Sequence, residues 1–593
     1  MSNTSSRPDL TVPTRQSDAK AIYHDSKAVA NWLAQLPLAN TGEAGKQVFK
    51  SLFEMNRLEL DHRKRVEILE QFITLADNLS GNLERNYTHT TFPLTEKSHK
   101  IALLTREIVR EIAIGYKIAI NSLLSQQDMA IDQALLTVCL HRALFYLSLT
   151  AYESAVIYEP YPVNVWREIH TIFKFSSRAK LDQTLVKQML NEQQVESTIL
   201  QQYKKILLFS LASPYQMRQR DIHDLYQRLL EWVDMSKLAV IPADSQPGDN
   251  YFVINLQSDS GPAHVSIYPD QATSQCIALK TETLLAHLNQ SDEPQQSGFK
   301  PSYNLRSLLS QNWSHAQQRH YVRTQLNFQL QVAVGLPLVH NLIEAGAHRI
   351  ASQRNSFSGS TPQPKAPQAA RPSNMFITGD DAGDEFGGLS LQPQNDLNYQ
   401  QGIGSAFQAK SPAVNFINRP TPQKTAPPAA EPSLTGSCTT VNESTGGYCI
   451  EWSNKLSAGI KVGELIGIQS TASTAEFALA VTKWLKNIPG SNLLAGIQLI
   501  THHCHATRVR IGKVLPKHKK PDWYLGLLIP ATMTTVESLI MPSDLFEAGA
   551  ELFMKTTQGA EIKIQLQQLT DSTGLFSQYS IVREPSSAGG SGL

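Results

Sequence analysis

The chain has 593 residues, more than one hydrophobic core usually organises, since cores stop growing near about 250–300 residues. Its 41% hydrophobic and 18% charged content are those of a globular protein, and a formal net charge of +1 gives no global case for nucleic-acid binding. No apolar run approaches the roughly 20 residues of a bilayer span, the start MSNTSSRPDL lacks a secretory core, and five scattered cysteines (Cys139, Cys276, Cys438, Cys449, Cys504) make no disulfide framework, so the chain reads as cytoplasmic.

Residues 1–20 read as a disordered tail and residues 21–238 as an all-α helical domain. Segments such as SKAVANWLAQL, GKQVFKSLFEMNRLEL and HRKRVEILEQFITLADNL repeat apolar residues at spacings of three and four. Breakers are expected at Pro37, Gly42, Gly81, Pro93 and Pro160, with Ser26 and Thr41 as helix N-caps. Seven to ten helices without a fixed-period repeat suggest a bundle or short solenoid. Arg63, Lys64 and Arg65 read as a solvated face, and Arg106 and Arg110 as one face of a helix.

Residues 239–311 form a small α+β module. YFVINLQ and AHVSIYPD alternate apolar and polar residues around the turn SDSGP, a hairpin signal, and TETLLAHLN and YNLRSLLSQN read as short helices. Next comes QQRHYVRTQLNFQLQVAVGLPLVHNLI, with Arg319 and Arg323 in the spacing R-x-x-x-R ahead of a strand. Residues 346–435 are rich in Pro, Gln, Ser, Ala and Asn and read as a disordered insertion. The chain then enters VNESTGGYCIEW, which places Asn442, Ser444 and Gly447 in the spacing N-x-S-x-x-G directly before a strand. KVGELIGIQ, FALAVTKWLKN and LLAGIQLI continue as strands. A second β-rich group occupies residues 504–585, and residues 586–593 are a flexible tail.

The arginine pair, the polar turn and the strand series after it resemble the PilZ domain, a six-stranded antiparallel β-barrel that binds cyclic di-GMP in bacteria. The resemblance covers residues 312–345 and 436–503 and implies one barrel split by the insertion, with Val332 to Ile343 pairing with strands beyond residue 437. It also implies that Arg319 and Arg323 contact phosphates and bases, that Asn442 and Ser444 contact guanine, and that Gly447 is a backbone requirement. The chemistry is consistent with this. Guanidinium groups fork onto phosphate oxygens and onto the O6/N7 edge of guanine, and glycine lets backbone approach closely. Long insertions cost little: each doubling of loop length adds about 0.6 kcal/mol, so a sixteen-fold longer loop adds roughly 2.4 kcal/mol.

Other clusters carry less. His502, His503, Cys504 and His505 in ITHHCHATR invite a zinc reading, but adjacent ligands cannot all turn inward and no second cluster completes a set of four. His315 and His320 lie near the arginines and read as solvent-exposed. The stretch VRIGKVLPKHKKPDW, with Arg508, Arg510, Lys513, Lys517, Lys519 and Lys520, reads as a solvated basic loop. No nucleophile elbow, phosphate-binding loop, zinc-protease or kinase signature occurs. The expectation is a non-enzymatic cyclic di-GMP receptor without cofactor or metal, acting on an unidentified protein partner through its helical domain. The competing expectation is a scaffold or adaptor whose barrel no longer binds nucleotide.

Overall fold

The helical periodicity becomes eight α-helices in the computed structural model: α1 (Ser26–Ala34), α2 (Thr41–Asn56), α3 (His62–Glu84), α4 (Glu96–Ser125), α5 (Gln133–Val156), α6 (Val165–Arg178), α7 (Ile199–Leu211) and α8 (Gln219–Trp232). The structure describes residues 7–18, 21–126, 130–190, 193–241, 250–267, 275–290, 303–314, 324–325, 327–356, 436–453, 456, 458–470, 477–511, 523–555 and 559–584. Residues 1–346 and 433–593 form one compact unit; of the other, residues 347–432, only the end of one helix is described.

Several local expectations shift by a residue or more. Asp25 and Asn40, not Ser26 and Thr41, cap α1 and α2: their side-chain oxygens accept from the N–H of Lys27 and of Glu43. An acceptor placed just before the helix is what reaches those orphan donors. Gly42 lies inside α2 and Gly81 inside α3. One helical glycine costs about 1 kcal/mol relative to alanine, and the buried Leu79 and Leu83 carry α3 through Gly81. The expected all-helical run is interrupted by a hairpin of β1 (Val186–Leu190) and β2 (Gln193–Ser197).

Arg65 corrects the reading of a solvated face. It is fully buried and donates to the carbonyls of Met55 and Leu58, and burial pulls its guanidinium down to about 10. The expectation that no apolar run reaches membrane length also fails at α5, which is long and apolar enough to cross a bilayer. However, 78% of its most apolar window is buried inside the protein, so α5 is the core helix of the domain.

The small module is a four-stranded sheet of β3 (Lys237–Val240), β4 (Phe252–Asn255), β5 (Ala263–His264) and β6 (Cys276–Lys280), ordered β3-β6-β4-β5. The expected hairpin is β4–β5, with Phe252 opposite His264. Helices α9 (Glu282–Gln290) and α10 (Tyr303–Ser314) follow, and the buried Trp313 indole donates to the Leu208 carbonyl at 3.0 Å, fastening the module to α7.

Next come β7 (Thr324–Gln325), β8 (Gln329–Val334), α11 (Leu336–Ser356), β9 (Gly436–Ser444), β10 (Gly447–Trp452), β11 (Leu465–Ser470), β12 (Ala478–Asn487) and β13 (Leu493–Thr501). Strands β8 to β13 close in the cyclic order β8-β9-β10-β13-β12-β11, all antiparallel, and β7 adds to β9. The barrel is therefore built from chain on both sides of the insertion. The strand does not reach Ile343: it ends at Val334. Gly335 takes a φ of +85° and the chain enters α11, whose Leu336, Val339 and Leu342 form a buried stripe at helical spacing.

A second six-stranded ring follows: β14 (His505–Ile511), β15 (Tyr524–Ile529), β16 (Ser538–Pro542), β17 (Glu551–Lys555), β18 (Glu561–Ser572) and β19 (Phe576–Arg583), closed in the order β14-β15-β16-β19-β18-β17. Its interior is lined by Val509, Leu539, Met541, Leu552, Ile564 and Leu566 among others. The alternation in HATRVRI makes β14 a strand, so Arg508 and Arg510 belong to it and not to a basic loop.

Candidate functional site

The N-x-S-x-x-G residues occupy the β9–β10 hairpin. Asn442 and Ser444 stand on the last three residues of β9, both half-buried, and Thr445 and Gly446 make the turn. Ser444 lies opposite Gly447, and Asn442 lies opposite Cys449. Between Cys449 and Ile450 the register shifts, leaving Val441 as the extra residue of a β-bulge. Such bulges re-aim side chains and sharpen the local twist.

Gly447 is the hinge of this arrangement. Its φ is +152°, and a Cβ there would lie 2.0 Å from the Ile497 carbonyl oxygen and 3.0 Å from the Gln498 Cα. Both are backbone atoms of β13, which cannot swing aside. Ser444 donates its hydroxyl to the Gly447 carbonyl at 3.3 Å. With that proton committed, the oxygen can present lone pairs to a partner's N–H, and the Asn442 amide can both donate and accept.

The far side of β9 is shared between two strands. Residues 436–439 pair with β8, while Asn442 and Glu443 pair with Gln325 and Thr324 of β7. Thr440 holds the crossing between them. Its N–H donates to the Phe328 carbonyl at 2.9 Å, and its buried hydroxyl accepts from the Phe328 N–H at 3.0 Å, across 112 residues of sequence. Arg319, Arg323, His315 and His320 lie outside the described residues, but Thr324, the next residue after Arg323, is opposite Glu443.

Sequence reading does not single out Thr440, Tyr448 or Phe328. Tyr448 is the cross-strand partner of Glu443, and its phenol is pushed up to about 12, first by burial and then by the Glu443 carboxylate. Phe328 meets the Tyr448 ring edge-on, with centroids 6.2 Å apart. Tyr448 follows Gly447 directly, so hairpin register was a signal for it; Thr440 and Phe328 meet only across the insertion, which no local signal shows.

At the other end of β10 the barrel meets the helical domain. Ile460 and Phe92 exchange a pair of 2.8 Å backbone hydrogen bonds, and the Asn487 N–H donates to the Tyr158 carbonyl at 2.8 Å. Behind this contact the buried Glu159 accepts from Arg106 at 2.7 Å and bonds His99 at 2.6 Å. Burial pushes the Glu159 carboxyl up, but His99 and Arg106 outweigh it and hold it below the ordinary range. Arg106 lies on α4 with Arg110, as their spacing suggests, and is a buried partner of Glu159.

The other clusters fall elsewhere. His502, His503 and Cys504 link β13 to β14, with Cys504 buried, and His505 begins β14. Among the described residues no group of three or more His, Cys, Asp or Glu is placed to hold a metal. Arg508 pairs with Glu344 of α11 at 3.1 Å, and Arg510 pairs with Glu561 at 2.8 Å and stacks over Phe553. These two arginines lie on the outward, partly exposed face of β14, each paired with a carboxylate; Lys513, Lys517, Lys519 and Lys520 lie outside the described residues.

Comparison with known proteins bears on both halves of the chain. Residues 27–243 match a family model described as the N-terminal domain of the cyclic-di-GMP receptor FimW. Residues 251–506 match a model described as the middle PilZ domain of that receptor. The cyclic-di-GMP receptor FimW of Pseudomonas aeruginosa is 28% identical over 596 residues, covering 98% of this chain and 94% of the relative. No solved structure matches the chain. The PilZ match runs unbroken from the module before the arginine pair, across the insertion, to the end of the first barrel. The chain belongs to the PilZ-domain family, as a split barrel within a larger multidomain protein.

Proposed function

We propose that this protein is a cytoplasmic receptor for cyclic di-GMP, a binding protein rather than an enzyme. Arg319 and Arg323 reach the phosphates and bases, Asn442 and Ser444 meet guanine edges, and Gly447 lets the hairpin close on β13. One observation carries the reading: β7 pairs the residue after Arg323 with Glu443, between Asn442 and Ser444. That pairing supports a reading in which the two short motifs, far apart in sequence, serve one hairpin. A receptor needs that juxtaposition, and a merely tolerated insertion would not require it. The fork geometry of arginine suits a dianionic, guanine-bearing ring.

A ligand held by Arg319 and Arg323 together with Asn442 and Ser444 would tie the chain ahead of β7 to β9. Beyond the far end of β10, about 20 Å from the hairpin at roughly 3.3 Å per residue, Ile460 and Asn487 contact the helical domain, which makes that domain the natural surface for a protein partner.

Calorimetric titration of the full chain with cyclic di-GMP tests the reading. Saturable binding at micromolar concentration or tighter is expected, with a loss of ten-fold or more in Arg323→Ala and in Ser444→Ala. Absence of heat and of any thermal shift at saturating nucleotide would return the chain to the class of scaffolds with a non-binding barrel.

A further inference from the structure

The two barrels close in the same way. With strands counted one to six within each, both rings pair one with two, two with three, three with six, six with five, five with four, and four with one. Strands β8 to β13 do so in the first barrel, and β14 to β19 in the second. A six-stranded ring admits many connection orders, so identity of all six pairings marks one design used twice.

Among the described residues, the second copy lacks the counterparts of the features that would take a dinucleotide in the first. In the first barrel an arm precedes strand one. In the second, β14 follows β13 after three residues, and Cys504 in that link is buried in the core shared by the two barrels, so no arginine pair stands directly ahead of strand one. The hairpin joining strands two and three carries Asn442 and Ser444 in the first barrel. The corresponding loop of the second, Pro530–Glu537, has neither an asparagine nor a glycine. It folds on itself, with the Thr532 hydroxyl accepting from the N–H groups of Thr534 and Thr535.

What the second barrel does have is a joint with the first. Helix α11 leaves β8 through Gly335, and its Leu336, Val339 and Leu342 share one apolar core with two sets of strands. Ala333, Leu465, Leu479 and Val481 come from the first barrel, and Leu527, Ile529, Ile540 and Phe576 from the second. The fully buried His340 bonds the Thr507 carbonyl of β14 at 2.9 Å through Nε2, and Glu344 pairs with Arg508 on the same strand.

We propose that the C-terminal domain is a second barrel of the PilZ design that takes no cyclic dinucleotide, and that it responds through α11 to ligand capture by the first. The path is continuous: β7 and β8 follow the arginine arm, α11 follows β8, and α11 is packed into the second barrel. The ligand part of this inference rests on the receptor reading above. The coupling part rests on the shared core, and by reciprocity it acts in both directions.

The test is hydrogen exchange of the full chain with and without saturating cyclic di-GMP, beside calorimetric titration. One class of site is expected, unaffected in Thr532→Ala and Thr535→Ala. Ligand is expected to slow exchange in β14 and β15 about two-fold or more, with the effect diminished in His340→Ala. Binding weakened by the Thr532 or Thr535 variants overturns the inference, as does protection confined to the first barrel. If no nucleotide binds at all, the receptor reading fails, and the coupling is then judged without ligand. His340→Ala should speed exchange in β8 and β9 as well as in β14, and a change confined to α11 and β14 refutes it. Should His340→Ala not fold, Glu344→Ala perturbs the same joint from its exposed side.

Discussion

Replacing Gly447 by alanine isolates what this glycine does. A Cβ would sit 2.0 Å from the Ile497 carbonyl oxygen, roughly 1.3 Å short of the closest ordinary carbon–oxygen approach of about 3.3 Å. Relief requires β10 and β13 to part, which disrupts the adjacent Leu499 N–H bond to the Gly446 carbonyl and at least one neighbouring ladder bond. Each such bond is worth about 0.5–1.5 kcal/mol net, and holding alanine at positive φ costs about 1–2 kcal/mol more. The sum is about 2–5 kcal/mol. Gly490 supplies the control: its φ is +80° but nothing lies within 4 Å of its Cβ position, so Gly490→Ala should incur the dihedral cost alone. Urea unfolding of the two variants beside wild type measures the difference, and nucleotide titration of Gly447→Ala should show weakened binding as the hairpin opens. Equal destabilisation of the two variants would refute the steric argument and leave Gly447 as an ordinary turn glycine.

Thr440→Val keeps the shape but removes the hydroxyl that accepts the Phe328 N–H, so it should cost about 1–3 kcal/mol and weaken cyclic di-GMP binding without touching the ligand; unchanged affinity in a destabilised variant argues against the β7–β9 juxtaposition. Glu153 in α5 is fully enclosed, and burial followed by the nearby Glu84 carboxylate push it up to about 8. Its folded value lies above the ordinary carboxyl range, so the stability from keeping it protonated is complete below about pH 4.5 and is lost as pH rises toward 8. Glu153→Gln should flatten that fall in melting temperature, and a parallel pH profile for the variant contradicts the assignment. Glu159→Ala strands the buried Arg106 without its carboxylate, which should cost about 3–5 kcal/mol, and exchange of the Asn487 amide reports whether the barrel contact loosens with it.

The strands after the insertion were legible because each is a short apolar run bounded by polar or glycine-bearing turns, as in GYCIEW and FALAVTKWLKN. The helical domain was legible for the same reason at a different period. What could not be read was where a pattern changes hands. LQVAVGLPLVHNL is apolar almost throughout, and a continuous apolar run does not separate a buried strand from a buried helix; only the positive φ of Gly335 decides that β8 stops and α11 starts. Arg65 looks like surface charge because a sequence does not show that backbone carbonyls wait in the interior to receive it, and the helical spacing of Arg106 does not show that Glu159 is its partner. The spacing of Asn442, Ser444 and Gly447 ahead of a strand was legible, while Tyr448 and Thr440 were not singled out, since their importance lies in cross-strand partners and not in their own neighbours along the chain.

The split barrel also sets an order of events during synthesis. Strand β8 is complete at Val334, yet its partners β9 and β11 begin at Gly436 and Leu465. From residue 334 to residue 465 is 131 residues, so at about 5–20 residues per second the strand waits roughly 7–26 s for both edges to be covered. Throughout that interval the nascent chain displays LQVAV as an unpaired, apolar edge, the kind of segment that recruits other strands. A trigger-factor-like holdase, or early folding of α11 beside it, therefore bears on the yield of this protein more than on its final stability.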